Sequence, residues 1–180
     1  MHKLLGSVFA LVLVGCVYLF VMLIDDNKVP AEISAAWEKG ESVELLSLDP
    51  DEARGEETAK EPEGSDKTKA TAKPELFHGY AVLGSTKLTK QDRPTLLAAL
   101  KRGSAENNGT VAGCFLPRHG IRIQSGKQTV ELVICFQCLS VQAYLDGQPT
   151  SGFPVTNSPV TAFNKVLTAA KVKLPEQAVD

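Results

Sequence analysis

Twenty-one consecutive residues without a charge, Leu4 to Ile24, dominate the hydropathy of this chain. At about 1.5 Å per helical residue such a run spans roughly 30 Å, the thickness of a hydrocarbon core. Lys3 precedes it and Asp25 and Asp26 follow. The positive-inside rule therefore predicts a membrane anchor over residues 1–24 with everything after it outside the cytoplasm. The alternative is a lipoprotein, because residues 13–16, LVGC, resemble a lipobox ending at Cys16. Eight more apolar residues follow that cysteine, where a lipoprotein turns polar. A cleaved secretory signal is the third reading, and all three leave the rest of the chain extracytoplasmic.

Beyond the apolar run, the periodicity shortens to that of a small domain. Pro30 to Lys39 predicts a short helix, with proline suited to the first position and Gly40 to the stop. Residues 42–48, SVELLSL, predict a strand closed by Asp49-Pro50. Residues 51–74 contain no aromatic residue and no Leu, Ile or Val, a composition that predicts a disordered acidic loop. Strand character resumes over 76–84, then Asp92 to Arg102 predicts a helix capped by Asp92 and stopped by Gly103. Residues 109–117, 121–124, 128–136 and 139–145 predict further strands. A last helix is expected over 159–172, with Phe163, Val166, Leu167 and Ala170 on one face. The expected class is α+β: a single antiparallel sheet with helices packed on one face, preceded by the membrane helix. Residues 25–50 supply its first helix and strand, and residues 75–180 form the main domain.

Charge narrows the partners. Residues 25–73 carry fourteen acidic and seven basic side chains, whereas 74–180 carry seven acidic and eleven basic. A scattered excess of four positive charges is not a basic stripe, so nucleic acid is not expected as a partner. The expected partner is the membrane, through the N-terminal segment. GIRIQSGK, residues 120–127, has one residue too many for a phosphate loop and lies on strands. No Ser/His/Asp arrangement stands out.

The chemistry concentrates in residues 111–138, VAGCFLPRHGIRIQSGKQTVELVICFQC, which hold three of the four cysteines. Cys114 and His119 are separated by four residues, Cys135 and Cys138 by two. Cys₃His is an accepted zinc set, and these spacings suit it. Cys114, His119, Cys135 and Cys138 are therefore the candidate metal ligands, with zinc as the candidate ion and a structural role expected. Two reverse turns, at Pro117-Arg118 and Phe136-Gln137, would bring them together at one end of the sheet. The alternatives are a Cys135–Cys138 disulfide, which fits an oxidising compartment, and buried structural thiols. A disulfide would make the domain an envelope interaction module, and a reactive one a thiol redox protein. In an extended strand the two cysteines would lie about 10 Å apart, beyond disulfide reach, so that pairing also needs a bend. A thioredoxin-like site is disfavoured because CFQC lies between strand-like runs, away from a helix N-terminus. Leu139 in place of histidine excludes attached c-type haem. Arg118 and Arg122 are expected to be solvated, and His78 to pack.

The segments VELLSLDP, FHGYAVLG, CFLPRHGIR and VELVICFQC, in that order, resemble a family of small uncharacterised bacterial proteins. The family pattern is close to C-F-x-P-R-H-G-I-R followed by I-C-F-x-C, and the likeness covers residues 42–50 and 76–172. It implies that Cys114, Pro117, Arg118, His119, Cys135 and Cys138 belong to a recurring pattern. It implies no substrate.

Overall fold

A computed structural model describes residues 29–51 and 74–175. The expected anchor over residues 1–24 and all but the two end residues of the loop expected over 51–74 lie outside the described residues. Among those described, no helix is long and apolar enough to cross a membrane. The elements are α1 (Ala31–Lys39), β1 (Ser42–Asp49), β2 (Leu76–Phe77), β3 (Tyr80–Lys87), α2 (Asp92–Glu106), β4 (His119–Ser125), β5 (Gln128–Cys135), β6 (Ser140–Leu145), β7 (Gln148–Pro149), β8 (Phe153–Pro154) and α3 (Val160–Ala169).

The eight strands form one sheet in the order β2-β3-β1-β4-β5-β6-β7, with β8 also paired to β6. Every pairing is antiparallel. The class is α+β, with a single antiparallel sheet and three helices among the described residues. β1 lies between β3 and β4, so the strand that precedes residues 52–73 is internal to the sheet.

Alternation along the strands explains the layering. Val43 and Leu45, Ile121 and Ile123, and Val130, Leu132 and Ile134 share a core with residues of all three helices: Ile33 and Trp37, Leu96 and Leu100, and Phe163 and Leu167. A smaller cluster of Leu46, Leu48, Phe77 and Val133, edged by Tyr80, Phe115 and Tyr144, occupies the other face. Gly120 lets that cluster close, because a Cβ there would stand 2.8 Å from Cε1 of Phe77.

Several local expectations change. The strand expected over 76–84 is a hairpin, turning at His78 and Gly79, both with positive φ. Gly103 does not stop α2, which continues to Glu106. Its missing Cβ admits the Pro159 ring, whose Cγ would be 2.7 Å from one. Tertiary contact thus overrides the weak helix propensity of glycine. Asp92 does not cap α2 by its side chain; Gln91 occupies that position, and the Asp92 carboxylate accepts from Thr89. Helix α3 is shorter than expected, and Ala170 is exposed. Residues 109–117 form no strand. Pro117 lacks an N–H for a ladder, and the loop instead crosses the end of the sheet, held by the contacts described next.

Candidate functional site

At one end of the sheet β4 begins, β5 ends and a four-residue turn, Phe136 to Leu139, leads into β6. Leu139 adopts φ +57° and its N–H donates to the Phe136 carbonyl at 3.3 Å. This turn supplies the bend that an extended CFQC lacks. It brings the Cα atoms of Cys135 and Cys138 to 5.1 Å, and the two are disulfide-bonded. Both are buried, at 1 % and 0 % exposure.

The loop before β4 is pinned over this turn. At its start the buried Asn107 donates from Nδ2 to the carbonyls of Thr110 and Val155 and accepts from the Gly109 N–H. In its middle the Ala112 N–H donates to the Cys138 carbonyl at 2.9 Å, and the Leu116 N–H to Cys138 Sγ at 3.2 Å. At its end the Arg118 carbonyl accepts from the Leu48 N–H at 3.0 Å. Cys114, exposed and not disulfide-bonded, is thereby held with its sulfur 3.7 Å from Cys138 Sγ. Cys135 Sγ accepts from the Cys138 N–H at 3.0 Å and lies 3.3 Å from the Leu116 carbonyl oxygen.

His119 opens β4 between Ser47 and Ile134. Its ring packs edge-on against Phe136 and Phe163, at 5.2 and 5.7 Å between centroids. Nε2 bonds Oδ1 of Asn164 on α3 at 2.8 Å, so the proton sits on Nε2 and Nδ1 keeps its lone pair. Nδ1 is buried without a partner. Burial pushes the His119 pKa from 6.5 to about 4; the Asn164 bond opposes this and the nearby Arg118 charge adds to it. The imidazole is neutral at physiological pH.

Cys114, Cys135 and Cys138 come together, and His119 stands at the same end of the sheet. The turn at Phe136-Gln137 is present. Pro117 and Arg118 form no turn and lead straight into β4. In this form two of the four candidate metal ligands are joined to each other, and a metal ligates thiolates. Among the described residues no group of three His, Cys, Asp or Glu side chains is arranged to hold a metal ion.

Arg118 is not solvated as expected: it is 6 % exposed. Its Nη1 donates to Oε1 of Gln137, inside the disulfide turn, at 2.8 Å. Its Nε is buried without a partner. A small cavity lined by Leu116, Arg118, His119, Phe136, Gln137 and Val160 lies between the turn and α3. Gln137 and Asn164 were missed; their roles arise from contacts 19 and 45 residues away in sequence.

His78 packs, as expected, stacking on Tyr144 at 3.6 Å while Nε2 meets Glu131 at 2.9 Å. No family model matches the chain, and neither does any curated protein or solved structure.

Proposed function

We propose that this is a thiol–disulfide exchange domain of the cell envelope, tethered to the membrane by residues 1–24. One observation carries the reading: a free, exposed thiol, Cys114, held 3.7 Å from one sulfur of a buried disulfide. An isolated staple needs no such neighbour. Here the loop that carries Cys114 is fixed to the disulfide turn by two hydrogen bonds to Cys138.

The chemistry follows from access. Exchange proceeds by attack of a thiolate on a disulfide sulfur. Cys135 and Cys138 are shielded, so an outside thiol must enter through Cys114. Cys114, deprotonated, attacks Cys138 Sγ. The Cys114–Cys138 bond forms, the Cys135–Cys138 bond breaks, and Cys135 leaves as a thiolate that takes up a proton. The Cys138 N–H already donates to the Cys135 sulfur at 3.0 Å and can stabilise that charge. A thiolate of a client dithiol then attacks the exposed Cys114, forming a mixed disulfide and releasing Cys138. The client's second thiol resolves it, leaving an oxidised client and three reduced cysteines on the domain. Two electrons pass from client to domain.

The test uses the full chain in detergent with a peptide carrying two cysteines. One equivalent of peptide should be oxidised per chain, and a client with a single cysteine should be trapped on Cys114. A Cys135–Cys138 disulfide that ignores the peptide in both wild type and Cys114→Ser would overturn the reading and leave a stabilised interaction module. Stoichiometric zinc on the reduced chain, protecting all three thiols from alkylation, would instead favour the Cys₃His centre.

A further inference from the structure

Arg118 presents an electrostatic puzzle. Buried charges are normally paired, and a guanidinium does not give up its proton in a protein. Yet among the described residues Arg118 makes one side-chain hydrogen bond, to a neutral amide, and no ion pair. The histidine beside it is neutral. The acceptor amide belongs to Gln137, between the two disulfide cysteines. Two residues upstream, Leu116 contacts both sulfurs, its N–H on Cys138 and its carbonyl oxygen on Cys135. Arg118 is thus tied to the disulfide turn through Gln137, and the loop that carries it touches both sulfurs through Leu116.

We infer that Arg118 sets the direction of the exchange: its guanidinium stabilises the reduced turn, in which a cysteine sulfur carries negative charge, so that the domain donates its disulfide to clients. A disulfide is neutral and leaves the buried cation without a counter-charge. Opening it creates an anionic sulfur at the end of the same turn. Stabilising the reduced form of a dithiol makes its disulfide a stronger oxidant. The inference rests on the exchange reading above and adds the substrate class: reduced protein dithiols, taken to the disulfide while Cys135 and Cys138 accept two electrons and one proton, the client's second proton passing to solvent so that one sulfur stays a thiolate.

Equilibration of the full chain in detergent with mixtures of reduced and oxidised glutathione at one fixed pH reads this directly. Arg118→Met should shift the equilibrium toward the disulfide by on the order of 10-fold, about 30 mV in reduction potential. Arg118→Lys, which keeps the charge, should recover most of the difference. Gln137→Leu, at an exposed position that does not threaten folding, should shift it in the same direction by a smaller factor. A purely structural Arg118 would alter the melting temperature without this charge-dependent order. Equal equilibrium constants for wild type, Gln137→Leu and Arg118→Met, in a chain that still exchanges through Cys114, would overturn the inference and spare the exchange reading. A wild-type chain that does not equilibrate with glutathione at all would remove both.

Discussion

Two arginines four residues apart, Arg118 just before β4 and Arg122 within it, live in opposite electrostatic worlds. Arg122 lies on the sheet face away from the helices with its side chain about one-third exposed. It reaches Glu131 at 3.0 Å, Glu44 at 3.2 Å and Glu75 at 3.6 Å, and sits over the Phe77 ring at 5.2 Å. Burial alone would lower its pKa, but the Glu131 hydrogen bond and the charges of Glu131, Glu44 and Glu75 together raise it above its ordinary value. Arg118 is almost wholly buried and has one amide for company. The first cation is already neutralised by several carboxylates, so it reads as structure. The second has no carboxylate partner among the described residues and holds Gln137 inside the disulfide turn, where reduction can leave an anionic sulfur. The contrast separates a charge that holds strands together from a charge kept beside a reaction.

The largest effect should come from the residue that connects Arg118's corner to the outside. Cys114→Ser should slow oxidation of a dithiol peptide by on the order of 100-fold or more, since a thiol fixed beside its target enjoys a large effective concentration. The Cys135–Cys138 bond should remain formed, visible as two cysteines protected from alkylation. Unchanged oxidation kinetics would show that clients reach the buried pair without Cys114.

Acid should be the next lever. His119 titrates at about 4 in the folded chain against 6.5 when unfolded. Between those values the unfolded state binds more protons, so stability is full above pH 6.5 and falls as pH drops toward 4. At 1.36 kcal/mol per unit the loss from this one group is on the order of 3 kcal/mol. Denaturant midpoints measured across this window in wild type and His119→Phe should differ in slope, the variant lacking the His119 contribution. Parallel slopes would mean that His119 is not buried as a neutral ring.

How much of this was legible in the sequence depends on whether the signal was local. Alternation in Val43–Leu45, Ile121–Ile123 and Val130–Leu132–Ile134 announced the helix-covered face. CFQC and the Cys114–His119 pair pointed to the end of the sheet where the structure brings three cysteines together. The disulfide itself was open, because closing it needs Leu139 in the left-handed region, a conformation that leucine does not advertise. The apolar run 109–117 reads as a strand until one sees that the sheet has no place for it and that its N–H groups go to Cys138. Gly103 reads as a helix stop until Pro159 is found against it. The burial of Arg118 and the Asn164 bond to His119 depend on α3 and on the turn, and nothing within ten residues of either predicts them.

Substitutions at the two arginines themselves should then diverge in sign. Arg122→Met leaves Glu44, Glu75 and the 14 %-exposed Glu131 side chain facing one another without their cation. Removing one partner from a fully buried pair costs about 3–5 kcal/mol, and partial exposure reduces that to roughly 1–3 here. His78 still meets Glu131 at 2.9 Å and limits the damage.

Arg118→Met, with the disulfide kept oxidised, should be close to neutral or stabilising by about 1 kcal/mol. Three changes offset one another. The variant loses one hydrogen bond from a charged donor, a net contribution of about 1.5–3 kcal/mol. It leaves no buried orphan, because Gln137 is exposed and its amide turns to water. It also removes a buried charge whose transfer from water cost several kcal/mol and which no carboxylate among the described residues offsets. Methionine fills much of the same volume with an unbranched apolar chain, so no large cavity opens. Urea unfolding of the oxidised full chain in detergent, run beside Arg122→Met, reads the difference as opposite shifts of the midpoint. A loss at Arg118 as large as the loss at Arg122 would show that the buried guanidinium is already compensated in the oxidised state. The two arginines would then do the same structural work, and the charge beside the disulfide would no longer be held for the reduced form.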